Sequence, residues 1–151
     1  MNKLLRKAIM LAYESHEGQL DKSGLPYIIH PITVMNGVDS DKEKIVAVLH
    51  DVVEDTNVKI RTIYDEFGEE IAEAVELLTK SKGQDYFQYI EALKGNYLAM
   101  NVKVQDLKHN MDLTRLPRIT ERDKDRQDKY EEAYLMLTNF RLGKRYKPYK
   151  Y

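Results

Sequence analysis

The sequence predicts an all-α fold, a single helical bundle, on three observations. Apolar residues recur three and four apart in segment after segment, the spacing of one helix face. No stretch alternates apolar and polar residues over a convincing strand length. Short breaks marked by glycine, proline or capping side chains separate the periodic segments. At 151 residues the chain is most simply one domain with a substantial core. The predicted division is a bundle over 1–142 and a basic, tyrosine-rich tail over 143–151.

Leu4, Leu5, Ala8, Leu11 and Ala12 form the first stripe, which ends at Gly18. A polar loop follows from Gln19 to Pro26, with Ser23-Gly24 and Pro26 as turn residues. Pro31 suits the first turn of a short helix to Asn36, where its missing N–H costs nothing. Ser40-Asp41-Lys42-Glu43 is a capping box, opening a helix with Ile45, Val48, Leu49 and Val52 on one face. Two helices are predicted over 59–67 and 69–78, separated by Gly68, the second buried through Ile71, Ala74, Val75 and Leu78. After a polar break at 81–84 come helices over 86–93 and 97–111. Pro117 closes a connector, and 120–142 reads as a long terminal helix. Met10, Met35, Met100, Met111 and Met136 fall on apolar faces and read as core filler.

Net charge is −1, so no global basic field points to nucleic acid or a membrane surface. Without cysteine, disulfides, thiolate zinc sites and cysteine nucleophiles are excluded. No signal peptide or membrane-spanning run is evident, and the expectation is a soluble cytoplasmic protein. The tail, with Lys144, Arg145, Lys147 and Lys150 among Tyr146, Tyr149 and Tyr151, suggests self-association rather than a nucleic-acid site.

Four clusters carry candidate chemistry: His30 before Pro31, His50-Asp51, Glu54-Asp55 and Asp106. On one continuous helix, residues four apart share a face, so His50 stacks with Glu54 and Asp51 with Asp55. Two imidazoles and two carboxylates suit one divalent cation, and without thiolate the set favours Mn²⁺, Fe²⁺ or Mg²⁺ over structural zinc. Glu54 and Asp55 would then orient or deprotonate an attacking water. Each piece also has a plainer reading: a chance His-Asp pair, a solvated acidic patch, a helix-entry histidine. Asp106 resists one, because a carboxylate between Val104 and Leu107 on an apolar helix needs a partner. Spacing alone does not bring Asp106 to His50. Tyr27 reads as a core residue, and His16 as the end of the first helix.

The stretch His16-Glu17-Gly18-Gln19, then Lys22-Ser23-Gly24 and Pro26 to Pro31, resembles the opening of the hydrolase domain of RelA/SpoT proteins. Leu49-His50-Asp51-Val52-Val53-Glu54-Asp55-Thr56 resembles its central HD signature. Val102-Lys103, Asp106 and His109-Asn110-Met111 are similar to its third motif. The likeness spans roughly 5–140 and holds all four histidines. It implies an HD-type helical domain over 1–142, acting as an Mn²⁺-dependent hydrolase that converts ppGpp and pppGpp to GDP or GTP and pyrophosphate. By matching position it implies His30, His50, Asp51 and Asp106 as metal ligands, and Glu54 and Asp55 as the water-activating acids. Lys22, Ser23 and Asn110 would surround the nucleotide. A small stand-alone hydrolase without a synthetase domain is the expectation.

The chain departs from that pattern around the nucleotide. Asp21 stands where an arginine usually stacks on guanine, and Leu25 replaces an acidic residue. Leu107 and Asp112 replace two further arginines, and Leu113 a threonine. An aspartate cannot offer a guanidinium's plane or paired donors. An HD phosphohydrolase of another nucleotide or phosphorylated metabolite is therefore the alternative reading, and product identity separates the two. A non-catalytic binding module would be favoured only if ligands or acids were missing, and the sequence retains all six.

Overall fold

The computed structural model describes residues 2–143, and among these nine α-helices follow one another. They are α1 (Lys3–Ser15), α2 (Ile29–Asn36), α3 (Asp41–Leu49), α4 (Val52–Asp55), α5 (Ile60–Phe67), α6 (Glu69–Leu78), α7 (Tyr86–Leu93), α8 (Tyr97–Asn110) and α9 (Glu121–Arg141). A 3-10 turn, Leu113–Arg115, precedes α9. The predicted tail beyond Gly143 lies outside the described residues. Among the described residues no helix is long and apolar enough to cross a membrane.

Helix α3 is the centre of the bundle. Its capping box forms as predicted: Ser40 Oγ accepts from the Glu43 N–H, and Glu43 Oε2 accepts from the Ser40 N–H. Ile45 to Leu49 are all buried, although the spacing predicts one apolar face. The reason is packing on every side, by α1, α2, α6 and α8. Helix α8 is the second pillar, touching α2, α3, α6 and α9. This arrangement brings α2, the end of α3 and the middle of α8 together, and with them His30, His50 and Asp106.

The predicted continuous helix through His50 and Asp51 does not form. Helix α3 stops at Leu49, and Asp51, at φ −104° and ψ −2°, caps the separate single turn α4. The His50 Nδ1–H donates to the Ala47 carbonyl at 2.5 Å, which also accepts from the His50 backbone amide. That doubly used carbonyl tightens the turn and swings two consecutive side chains toward one point.

Gly68, at φ +85°, joins α5 to α6 with no linker, a conformation that favours glycine. Helix α9 opens on a second capping box, Thr120 with Asp123, and buries Ala133, Met136 and Leu137 against α7 and α8. Met10 is 51% exposed, against the expectation of core filler. It lies about 200° round α1 from Ala8 and so outside the Leu5, Ala8, Ala12 stripe.

Candidate metal centre and substrate pocket

His30 on α2, His50 at the end of α3 and Asp106 on α8 are all buried, and their donor atoms lie within 4.8 Å of one another. His30 Nε2 is 2.8 Å and His50 Nε2 3.4 Å from Asp106 Oδ1. Asp51 joins them, its Oδ2 3.0 Å from His50 Nε2 and 3.7 Å from His30 Nε2. Asp51, Glu54 and Asp55 form a second cluster of the same tightness. The six sequence-predicted residues thus come together, through the break between α3 and α4 rather than along one helix face.

The donor chemistry fits a divalent cation. Because the His50 Nδ1–H is committed to Ala47, Nε2 is the atom aimed at the carboxylates, and it is buried without a hydrogen-bond partner. Burial disfavours charge on this ring, yet Asp51 and Asp106 hold its proton affinity well above the ordinary value. His30, His50, Asp51 and Asp106 would hold a metal ion through these donors. Nδ1 of His30 meets Nδ1 of His109 at 2.6 Å, with the ring planes only 13° apart. Burial, then His30 and Arg115, push the His109 pKa down to about 4, so its ring is neutral near pH 7. A neutral His109 accepts the His30 Nδ1–H and so orients the ring with Nε2 toward Asp106 and Asp51.

Asp106 finds the partners that its apolar helix demands. Lys103 Nζ donates to Oδ2 at 2.7 Å and Asn110 Nδ2 to Oδ1 at 2.9 Å, from positions three before and four after it. Burial opposes its ionisation, but Lys103, His30 and His50 hold its carboxyl well below the usual range. Tyr27 does more than pack. Its hydroxyl donates to Asp51 Oδ2 at 2.5 Å, a contact across the loop that helical spacing does not reveal. His16 does cap α1, and its Nδ1–H also donates to Gln19 Oε1, 2.8 Å away. Gln19 in turn donates to the Asp55 carbonyl at 2.9 Å, tying the first loop to α4.

Glu54 Oε1 accepts the Lys80 N–H at 2.7 Å. Its carboxyl is nonetheless raised above the ordinary value, by burial first and then by Asp51 and Asp55. Burial and Asp51 raise Asp55 in the same way.

A cavity of about 320 Å³ opens beside His30 and Tyr27 and runs past Lys22, Ser23 and Asn110 toward α9. Lys22, Ser23 and Asn110 therefore line one space. Asp21 has a structural task there: its Oδ1 accepts from the Ser23 N–H, the Ser23 hydroxyl and the Leu25 N–H, at 2.8, 2.6 and 3.0 Å. Sequence reasoning missed Arg115, Arg126 and Tyr130 in the lining. The usable signal was the position of Arg126 and Tyr130, four apart on a mostly polar helix.

A bundle that sets paired imidazoles and carboxylates around the break between its central helix α3 and the single turn α4 defines a class, and the chain belongs to the HD domain family, whose model matches residues 8–137. Among curated relatives it is 33% identical over 124 residues to the bifunctional (p)ppGpp synthase/hydrolase SpoT of Escherichia coli K12, covering 72% of this chain and 18% of that protein. It is 39% identical over 123 residues to a probable guanosine-3′,5′-bis(diphosphate) 3′-pyrophosphohydrolase of Synechocystis, covering 72% and 16% respectively. The chain thus spans less than a fifth of the length of these relatives. Its fold is like that of a solved metazoan ortholog of SpoT that hydrolyzes ppGpp, with a TM-score of 0.74, 21% identity, and coverage of 91% of this chain and 86% of that one.

Proposed function

We propose that this chain is a metal-dependent phosphohydrolase that removes the 3′-diphosphate of guanosine alarmones, giving GDP or GTP and pyrophosphate, with Mn²⁺ as its ion. The carrying observation is the convergence of His30, His50, Asp51 and Asp106, with Glu54 and Asp55 beside them, next to a pocket that His30 lines together with Lys22, Ser23 and Asn110. The named activities of the SpoT relatives support the same reading.

His30, His50, Asp51 and Asp106 would hold a divalent ion, which would supply Lewis acidity and a more acidic water. Glu54 and Asp55, with carboxyls raised above the ordinary range, are the stronger bases for it and take the proton of the attacking water. The 3′ oxygen–phosphorus bond breaks, and the ribose oxygen leaves with a proton that the same pair can return. Lys80 fixes Glu54 through its backbone amide, and Gln19 fixes the backbone of Asp55. With Nδ2 of Asn110 given to Asp106, its carbonyl oxygen remains as an acceptor for the nucleotide. The Ser23 hydroxyl spends its hydrogen on Asp21 and likewise offers an acceptor.

The test is incubation with ppGpp and Mn²⁺, following GDP and pyrophosphate, beside a Glu54→Ala/Asp55→Ala variant. Release of both products by the wild type alone is the expected result, and silence with ppGpp overturns the alarmone reading. A second reading, hydrolysis of another phosphorylated nucleotide or metabolite, is favoured by the carboxylates of Asp21 and Asp112 in the pocket wall. Orthophosphate release from a monoester would select it.

A further inference from the structure

The cavity that opens beside His30 balances its charges. Lys22, Arg115 and Arg126 line it, and so do Asp21, Asp112 and Asp123, three of each sign. Such a lining offers no net positive field to a second polyphosphate. Two of the cations are already engaged: Arg126 Nη2 donates to Asp123 Oδ1 at 2.6 Å, and Lys22 Nζ lies 3.8 Å from the same oxygen. Arg115 differs. It enters no salt bridge among the described residues, and its Nε–H is buried without a hydrogen-bond partner.

The surroundings of Arg115 are braced. It ends the 3-10 turn Leu113–Arg115, whose capping Asp112 accepts from both the amide and the hydroxyl of Thr114. Across the chamber, Asp21 is pinned by its three hydrogen bonds. Leu20, Leu113 and Leu116 supply the apolar part of the wall, and Leu20 is left 66% exposed. A guanidinium that forms no salt bridge among the described residues, apolar side chains and carboxylate acceptors together suit a flat, uncharged ring bearing N–H and carbonyl groups. A phosphate placed there would face Asp21 and Asp112 instead.

We propose that Arg115 is the specificity-determining residue of this pocket, reading the base of a phosphorylated nucleoside whose phosphate end lies at the His–Asp cluster. The guanidinium stacks on the ring or forks onto its edge, while the leucines cover its faces. This inference rests on the reading of the chain as a nucleotide phosphohydrolase and adds the residue that selects the base.

The test compares wild type, Arg115→Lys and Arg115→Ala. Binding of guanosine 3′,5′-bisphosphate, its adenosine counterpart and pyrophosphate to the metal-free full chain is measured by calorimetry, with Mn²⁺-dependent turnover of ppGpp in parallel. Wild type should bind a nucleotide more tightly than pyrophosphate. Both variants should lose about tenfold or more of nucleotide affinity, as expected for a desolvated stacking contact. Lysine should do no better than alanine, because it keeps the charge but not the plane. Pyrophosphate binding and the thermal shift on adding Mn²⁺ should stay at wild-type values, and KM for ppGpp should rise at nearly constant kcat. Restored nucleotide affinity in the lysine variant would make Arg115 a phosphate contact and overturn the proposal. So would unchanged affinity in both variants, or a wild type that prefers pyrophosphate. A wild type that binds a nucleotide through Arg115 yet leaves ppGpp intact would remove the alarmone reading and leave this assignment standing.

Discussion

Replacing Lys103 by methionine isolates the charge that holds Asp106 in the core. The ammonium and carboxylate are 2.7 Å apart, with side chains only 13% and 5% exposed. The pair therefore lies in the regime where removing one partner strands the other, at a cost of about 3–5 kcal/mol. His30 and His50 face the other carboxylate oxygen at 2.8 and 3.4 Å and relieve part of that cost, so the lower end applies. The contact of Lys103 with the Tyr89 ring at 5.3 Å adds only a minor further loss. About 3 kcal/mol in a chain of this size corresponds to a fall in Tm of roughly 6–12 °C. A divalent cation should then narrow the gap, because the variant's more negative site gains more from it. Each 1.4 kcal/mol so relieved is about tenfold in metal affinity. Thermal unfolding of both proteins, in chelator and in excess Mn²⁺, reads both quantities. A metal-free Tm within about 2 °C of wild type, or a gap that Mn²⁺ leaves unchanged, would refute the assignment of Lys103 as the counter-charge of Asp106.

Three further perturbations probe the same centre and its scaffold. Tyr27→Phe removes the hydroxyl that donates to Asp51 Oδ2 and should weaken Mn²⁺ binding about 10- to 100-fold while the fold survives, a loss that titration calorimetry would register. His109→Ala frees the His30 Nδ1–H and should lower metal affinity over a similar range, about 10- to 100-fold; an unchanged dissociation constant would show that His30 orients without it. Glu43 is the pH probe. Burial works against its charge, but the Ser40 amide and Asn101 hold its carboxyl below the usual value. A depressed folded-state pKa contributes stability that is present above the unfolded value of about 4.3 and is lost as pH falls through the folded one. Glu43→Gln should therefore flatten the acid limb of the stability–pH curve below about pH 5, and an unaltered limb would show that the capping box adds nothing there.

The sequence made the bundle legible because its signals are local. The Ser40–Glu43 box and Gly68 each act within a few residues, and the helices after them begin within a residue of where the spacing puts them. The box at Thr120 was harder to see because an aspartate, Asp123, stands in the acceptor position at the head of a polar stretch. The break at His50 escaped for a different reason. Nothing in the periodicity of Ile45 to Val52 signals that a histidine side chain will take the Ala47 carbonyl. That hydrogen bond carries more consequence than any propensity, since it converts a helix face into a convergent site.

The metal-type residues themselves were legible by kind and not by distance, since His30 and Asp106 are 76 positions apart. Only the flanking pattern on α8, Lys103 and Asn110 about Asp106, was available in advance as a sign that this carboxylate was provided for. The pocket wall marks the deeper limit. In the sequence, Asp21 and Asp112 read as losses of positive charge from a recognition surface. In the structure one oxygen of each carboxylate organises its own turn, Asp21 around Ser23 and Leu25, Asp112 around Thr114. An arginine at either position could not accept those hydrogen bonds, so Asp21→Arg would unfasten the loop that carries Lys22 before it could restore a stacking cation. The turn that Asp112 stabilises is the one that carries Arg115 into the chamber. A change that removes a guanidinium from one position can thus be the change that fixes another guanidinium three residues later.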